Sequence, residues 1–162
     1  MATYKFYLIS LSLTWLVCIS NAEHVQHAPC ESNPGDCTVH EVRVVPCPES
    51  EEHKPCKVKR GKTATISFDF TTQWEATTAH GELFSADDEE DLPLNGMNMH
   101  NACQFTSCPI RASTKQSYTY TLPLAKKFPV GTYTIRWVLR NAAKPEETNE
   151  RCCFTTKIKL TK

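Results

Sequence analysis

Two cysteines stand side by side near the C-terminus, in NERCCFTTKIKL, and they belong to a set that limits what this chain can become. Beyond the first 22 residues there are eight: Cys30, Cys37, Cys47, Cys56, Cys103, Cys108, Cys152 and Cys153. A ninth, Cys18, sits in an N-terminal segment with one charge, Lys5, and an apolar run from Phe6 to Ile19. Ser20 and Ala22 then supply small residues where a signal peptidase accepts them, so residues 1–22 read as a secretory signal cleaved after Ala22. The run is too short and interrupted to span a bilayer comfortably. An even number of cysteines in a secreted chain of this size means disulfides first. Structural zinc favours C-x₂-C knuckles, whereas the local spacings here are C-x₈-C (47–56) and C-x₄-C (103–108). Spacing alone leaves the connectivity open, but adjacent cysteines in an extended segment point to opposite faces.

The mature chain, residues 23–162, has the length of one domain with a real core. Without Lys5 the basic residues number 17 against 18 acidic ones, close to neutral. No basic tract along the sequence argues for nucleic acid or an anionic membrane. No second apolar stretch approaches the ~20 residues of a membrane-spanning helix. A soluble, extracellular monomer is the expectation.

From about residue 38 onward, alternation at period two predicts short strands separated by turn residues. Val42 and Val44 share a face against Arg43. Ile66, Phe68 and Phe70 oppose Thr65, Ser67 and Asp69, and Tyr118, Tyr120, Leu122 and Leu124 align. Tyr133, Ile135, Trp137 and Leu139 oppose Thr134, Arg136, Val138 and Arg140, and Phe154, Ile158 and Leu160 form the last apolar row. TTAHGELFS and Leu92–Leu94 are weaker strand candidates. No segment carries a helical period of useful length. Strands with one apolar face each predict an all-β, two-sheet antiparallel sandwich, with a closed barrel as the rival.

Chemistry-bearing motifs are scarce. The histidines at 24, 27, 40, 53, 80 and 100 fall in no zinc-ligand or nucleophile pattern. His40 shares parity with Val42 and Val44 and reads as an edge or half-buried residue. The acidic run 87–91 lacks calcium-loop spacing and reads as a solvated loop. There is no phosphate-binding loop, no G-x-S-x-G and no N-x-[ST] signal. These readings predict no enzyme, no metal and no cofactor.

The motifs in order, DCTVHEVRVVPC, VKRGK, NACQFTSCPI, SYTYTLPL, FPVGTYTIRWVL and CFTTKIKL, resemble the ML (lipid-recognition) family from about Asp36 to Leu160. The resemblance implies an immunoglobulin-like, disulfide-stabilised sandwich over 37–162, preceded by an N-terminal arm at 23–36. It implies bridges Cys47–Cys56 and Cys103–Cys108, and a third from Cys37 to the last strand. The family pattern assigns that third bridge to Cys153, leaving Cys30 to pair with Cys152. It further implies a sterol, fatty acid or similar apolar lipid held between the sheets. The lining would be Ile66, Phe68, Phe70, Tyr118, Tyr120, Leu122, Tyr133, Ile135 and Trp137, with Leu92, Leu94, Met97 and Met99 at the mouth. Periodicity alone favours an ordinary dry core, as in an immunoglobulin-like adhesion domain, and the resemblance is what turns the reading to a lipid slot. A membrane sterol transporter or receptor would be the protein partner, in the extracellular space, lysosome or gut lumen. The alternative role is recognition of bacterial lipids and docking to a receptor, with Lys57, Lys59, Arg60 and Lys62 as a candidate basic rim.

Overall fold

Alternating apolar residues can be buried only if each strand turns one face to a second layer, and the chain does this with two sheets. The computed structural model describes residues 23–86, 91–93 (backbone only), 99–147 and 149–162. Residues 1–22, the acidic residues 87–90, Leu94 and Met97 lie outside the described residues. The described residues form ten strands: β1 His27–Pro29, β2 Cys37–Val45, β3 Cys56–Lys59, β4 Thr63–Thr72 and β5 Ala79–Ala86, then β6 Asp91–Pro93, β7 His100–Asn101, β8 Lys115–Pro123, β9 Gly131–Asn141 and β10 Arg151–Thr161. The smaller sheet has the order β2-β4-β8. The larger runs β1-β10-β9-β5-β6, with β3 added in parallel to β10 and β7 to β5. The two sheets are separate, so the fold is an all-β sandwich and not a barrel. The only helical turns among the described residues are 3-10 turns at Ser50–Glu52 and Ala102–Gln104.

The inward rows are those the alternation predicts. In the small sheet Phe68 lies between Val42 and Tyr118, and Ile66 between Val44 and Tyr120. In the large sheet Trp137 lies between Leu83 and Phe154. Phe68, Phe70, Tyr118, Trp137 and Phe154 are all fully buried. Each such side chain contributes roughly 1.5–3 kcal/mol by leaving water. The sheets meet through rings: the Phe68 centroid is 4.9 Å from Phe154 and 5.8 Å from Trp137.

A bulge between Val39 and Glu41 changes parity within β2. Before it Cys37 and Val39 pack against the core, and after it Val42 and Val44 do. His40 is therefore exposed, with Nε2 2.8 Å from the Thr71 hydroxyl.

The disulfides are Cys30–Cys153, Cys37–Cys152, Cys47–Cys56 and Cys103–Cys108. The expected pairs Cys37–Cys153 and Cys30–Cys152 are thus exchanged. The reason is geometric. A bridge between β2 and β10 joins the two sheets, so its β10 cysteine must face the core with Phe154, Ile158 and Leu160. Cys152 has that parity and is buried in the main core cluster. Cys153 points to the opposite face of the large sheet, where it packs with Cys30, Val138 and Phe84. The arm preceding β2 is laid over that face. Arg151 donates from Nε to the Asn33 carbonyl at 2.9 Å, and the Cys153 amide donates to Pro34 at 3.1 Å. Gly35, at φ +80°, permits this crossing: a Cβ there would sit 1.9 Å from the Arg151 carbonyl oxygen.

Candidate functional site

The sandwich interior is closed unevenly. Along β4, β9 and β10 the rings interlock. Towards the β8 edge, facing β5 and β7, the aromatic wall is only half covered. Tyr120, Phe105 and His100 are half-buried there, and Met99 is 62% exposed. His100 stacks on Tyr120 with centroids 4.8 Å apart, and Phe105 meets Tyr120 edge-on at 4.8 Å. Trp137 lies behind them, 5.5 Å from Tyr120 and 5.3 Å from Tyr118.

Local chemistry builds this wall. The Cys103–Cys108 loop is pinned to β8 by hydrogen bonds from the Thr119 amide to the Phe105 carbonyl (3.0 Å) and from the Thr106 hydroxyl to the Ser117 carbonyl (2.8 Å). The Asn101 side chain accepts from the Cys103 amide and starts the 3-10 turn at Ala102. Phe105 is thereby held against the rings of β8. His100 reaches inward through its pairing with Gly81. A Cβ at Gly81 would lie 2.6 Å from His100 Nε2 and 2.8 Å from the Tyr118 hydroxyl, so glycine makes the room these two groups need. They are hydrogen-bonded at 2.5 Å. Burial, then the nearby Tyr120, pushes the Tyr118 hydroxyl well above the ordinary phenol range, so it stays protonated.

Trp137 Nε1 and the Ser85 hydroxyl are among the buried polar atoms that lack a hydrogen-bond partner among the described residues. Both project inward from adjacent strands, where Leu83 registers with Trp137 and Ser85 with Ile135. An unmet buried donor costs about 1–3 kcal/mol, a cost that a bound polar atom could remove.

Of the expected lining residues, Ile66, Phe68, Phe70, Tyr118, Leu122, Ile135 and Trp137 are buried in one cluster. Tyr120 lies at the half-covered edge. Tyr133 packs at the margin, its hydroxyl donating to the Pro129 carbonyl at 2.8 Å. Leu92 is placed only by its backbone pairing with Ser85 in β6. The four candidate rim cations do not converge on the aromatic wall. Lys57 and Lys59 alternate outward from Cys56 and Val58, and Arg60 donates to the Phe128 carbonyl at 2.9 Å. The sequence reading had missed His100, Phe105 and Gly81. An aromatic residue among the four between Cys103 and Cys108 was the available signal for Phe105. No cluster of histidine, cysteine or carboxylate ligands that could hold a metal occurs among the described residues.

Residues 24–160 match the sequence model of the ML domain. The chain belongs to the ML-domain family. The MD-2-related lipid-recognition protein of Manduca sexta is 40% identical over 136 residues, 82% of this chain and 82% of that protein. NPC intracellular cholesterol transporter 2 of Danio rerio is 26% identical over 125 residues, 74% of this chain and 76% of its own length. Among solved structures, a Niemann-Pick type C2 protein from Japanese carpenter ant matches with a TM-score of 0.65 at 19% identity, covering 83% of this chain and 99% of that one. That likeness is one of fold. In this ML domain the match includes the N-terminal arm, which is docked on β10 by strand pairing of His27–Pro29.

Proposed function

We propose that the mature protein is a secreted, non-catalytic carrier that holds one apolar lipid, a sterol, fatty acid or similar molecule, between its sheets. The observation that carries this reading is the half-covered aromatic wall of His100, Phe105 and Tyr120, backed by the buried Trp137 and Tyr118. A lipid entering at the β8 edge would press between Tyr118, Tyr120 and Trp137 and displace ring–ring contacts with ring–lipid ones. Trp137 Nε1 and Ser85 offer polar anchors for a single hydroxyl or carboxyl group, the usual composition of an apolar pocket with few polar contacts. Desolvation is the driving force: burying ~300 Å² of ligand at ~25 cal/mol per Å² contributes on the order of 7 kcal/mol before ordering costs. That suffices for roughly micromolar binding without an ion pair. Four disulfides fit folding in an oxidising compartment, and extracellular fluid, gut lumen or lysosome each meets that condition.

The test is organic extraction of protein purified from its native secretory route, with mass spectrometry of the extract and titration with fluorescent sterol and fatty acid. A stoichiometric lipid, or saturable uptake of either probe, is expected. An empty protein that takes up neither would return the fold to a dry adhesion-type sandwich. A second reading, recognition of bacterial lipids with docking to a receptor, draws on the name of the Manduca sexta relative. It predicts saturable binding of lipopolysaccharide in preference to sterol.

A further inference from the structure

No run of basic residues occurs in the sequence, yet the fold gathers one. The outward positions of β3, β5, β9 and β10 alternate with the core residues and share the outer face of the large sheet. They carry Lys57, Lys59, Arg136, Arg140, Arg151, Lys157 and Lys159. Glu82, bound to Arg140 at 2.6 Å, is the one acid among the outward positions of β3, β5, β9 and β10. Register makes the crowding acute. Lys57 sits directly beside Lys159 in the parallel β3–β10 pair, and Arg140 beside Arg151 in the β9–β10 pair. Like charges opposite one another destabilise a sheet. Arg140 and Arg136 help to lower the pKa of Arg151, behind the larger effect of its burial. From Arg151 to Lys159 the row extends over about 27 Å of strand.

At the lysine end the face opens into a cleft of about 780 Å³. It exists because β1 covers the β10 edge only through Thr156 and β3 begins at Ile158, leaving a notch at Lys157. Lys54, Lys157, His27, His53 and the threonines 134 and 155 line it. The acids nearby are Glu52, paired with Lys54, Glu49, 3.3 Å from Lys57 Nζ, Glu51 in the same 3-10 turn, and Glu23, which accepts from the Cys47 amide. The lining is concave and mixed, with threonine hydroxyls and two lysines beside Val25, Ala28 and Pro55. The large apolar side chain on the face, Phe84, lies beneath the Arg136 guanidinium at 5.9 Å. A flat membrane could not enter the notch and would find no exposed aromatic anchor among these described positions. An extended chain with regularly spaced anionic groups fits both the row and the notch.

We infer that this face binds a sulfated polysaccharide, with one sugar unit seated in the β1–β3 notch and its sulfates pairing with Lys157, Lys159 and Lys57. The lysines lie on the opposite side of the large sheet from the proposed lipid space, while the notch also touches Val25 and His27, which pack towards the core and Phe154. The test is calorimetric titration of the full mature protein with a size-defined heparin octasaccharide at low and physiological salt. Saturable binding that weakens as salt rises is expected. Lys157→Glu with Lys159→Glu should lower affinity by roughly tenfold or more, because each reversal places a carboxylate against a sulfate. The same charge change in the exposed β8–β9 turn, Lys126→Glu with Lys127→Glu, should lower it by less than about twofold, the long-range contribution alone. Uptake of fluorescent sterol or fatty acid should be unchanged in both variants, and fully desulfated heparin should not bind. The proposal is overturned if the wild-type protein ignores the octasaccharide, if the two double variants lose affinity equally, or if desulfated heparin binds as well. Binding to phosphatidylserine vesicles without binding to the octasaccharide would assign the face to membranes and overturn it too.

Discussion

The two long disulfides are nested, and nesting makes a strong prediction. Cys37–Cys152 closes 115 residues of chain, worth about 4.8 kcal/mol in the chain-entropy model. With that bridge in place, Cys30–Cys153 no longer closes its 123-residue separation. It closes only a small ring made of residues 30–37 and 152–153, about ten residues, worth about 2.7 kcal/mol. Removing either bridge alone therefore costs the small ring, and removing both costs about 7.5 kcal/mol. Because Cys152 and Cys153 are adjacent, a proteolytic peptide carrying one carries the other, so paired variants read the connectivity more cleanly. Cys30→Ser with Cys153→Ser should leave no free thiol and lower stability by about 2.7 kcal/mol in urea. Cys30→Ser with Cys152→Ser removes one partner from each bridge. It should expose two thiols, Cys37 and Cys153, and forfeit most of the ~5–15 kcal/mol typical of a domain. The assay is thiol titration in denaturant beside an equilibrium urea melt. If the second variant is thiol-free and stable while the first shows two thiols, the pairing is Cys37–Cys153 with Cys30–Cys152. The argument that the core-facing cysteine bridges the sheets would then be wrong.

Three further outcomes follow from single sites. Gly81→Ala places a methyl group within 3 Å of His100 Nε2 and the Tyr118 hydroxyl. Breaking their bond leaves a buried hydroxyl unmet, so a loss of about 1–3 kcal/mol is expected, read by thermal melt, with weaker fluorescent-lipid uptake. An unchanged melt would mean that the pair is not structural. Asp69 accepts from Arg43 (3.0 Å) and from the Ser117 hydroxyl (2.6 Å), with Lys115 Nζ at 3.1 Å. The Arg43 bond, with Ser117 and Lys115 behind it, holds the Asp69 carboxyl well below the usual range against the opposing effect of burial. A depressed folded value means its stabilisation is fully present above about pH 4, the ordinary carboxyl value, and is lost as pH falls further. Asp69→Asn should lower stability at neutral pH and flatten its fall below about pH 4, and an acid limb identical to wild type would contradict this. Phe68→Asp sets a carboxylate among Phe70, Tyr118, Trp137 and Phe154. It should cost several kcal/mol and abolish fluorescent-lipid uptake, so a folded variant with undiminished uptake would move the site elsewhere.

What was legible in the sequence was whatever depends on period two alone. The inward rows of β4, β8, β9 and β10 can be read from alternation, because a strand with one apolar face has only one way to turn it. Legibility failed where a second fact about neighbours was needed. His40 has the parity of Val42, but a bulge at Val39/Glu41 resets the phase, and nothing in CTVHEVRVV marks it. The exchanged disulfides came from applying family pattern where face mattered. Once β2 and β10 are known to lie in different sheets, the core-facing Cys152 is the only member of the doublet that can reach across. The aromatic wall was half legible, since Tyr118, Tyr120 and Trp137 sit in strands, whereas His100 and Phe105 arrive from loops that only pairing to Gly81 and Thr119 brings inward. The basic face was invisible for the complementary reason. Its charges are separated by core residues along each strand and by whole strands along the chain, so the sequence averages to neutrality. The same alternation that buries Phe154, Ile158 and Leu160 must display Lys157 and Lys159 on the other side, and the parallel pairing of β3 then sets Lys57 beside them. A sandwich built this way has two chemically unlike faces on one sheet.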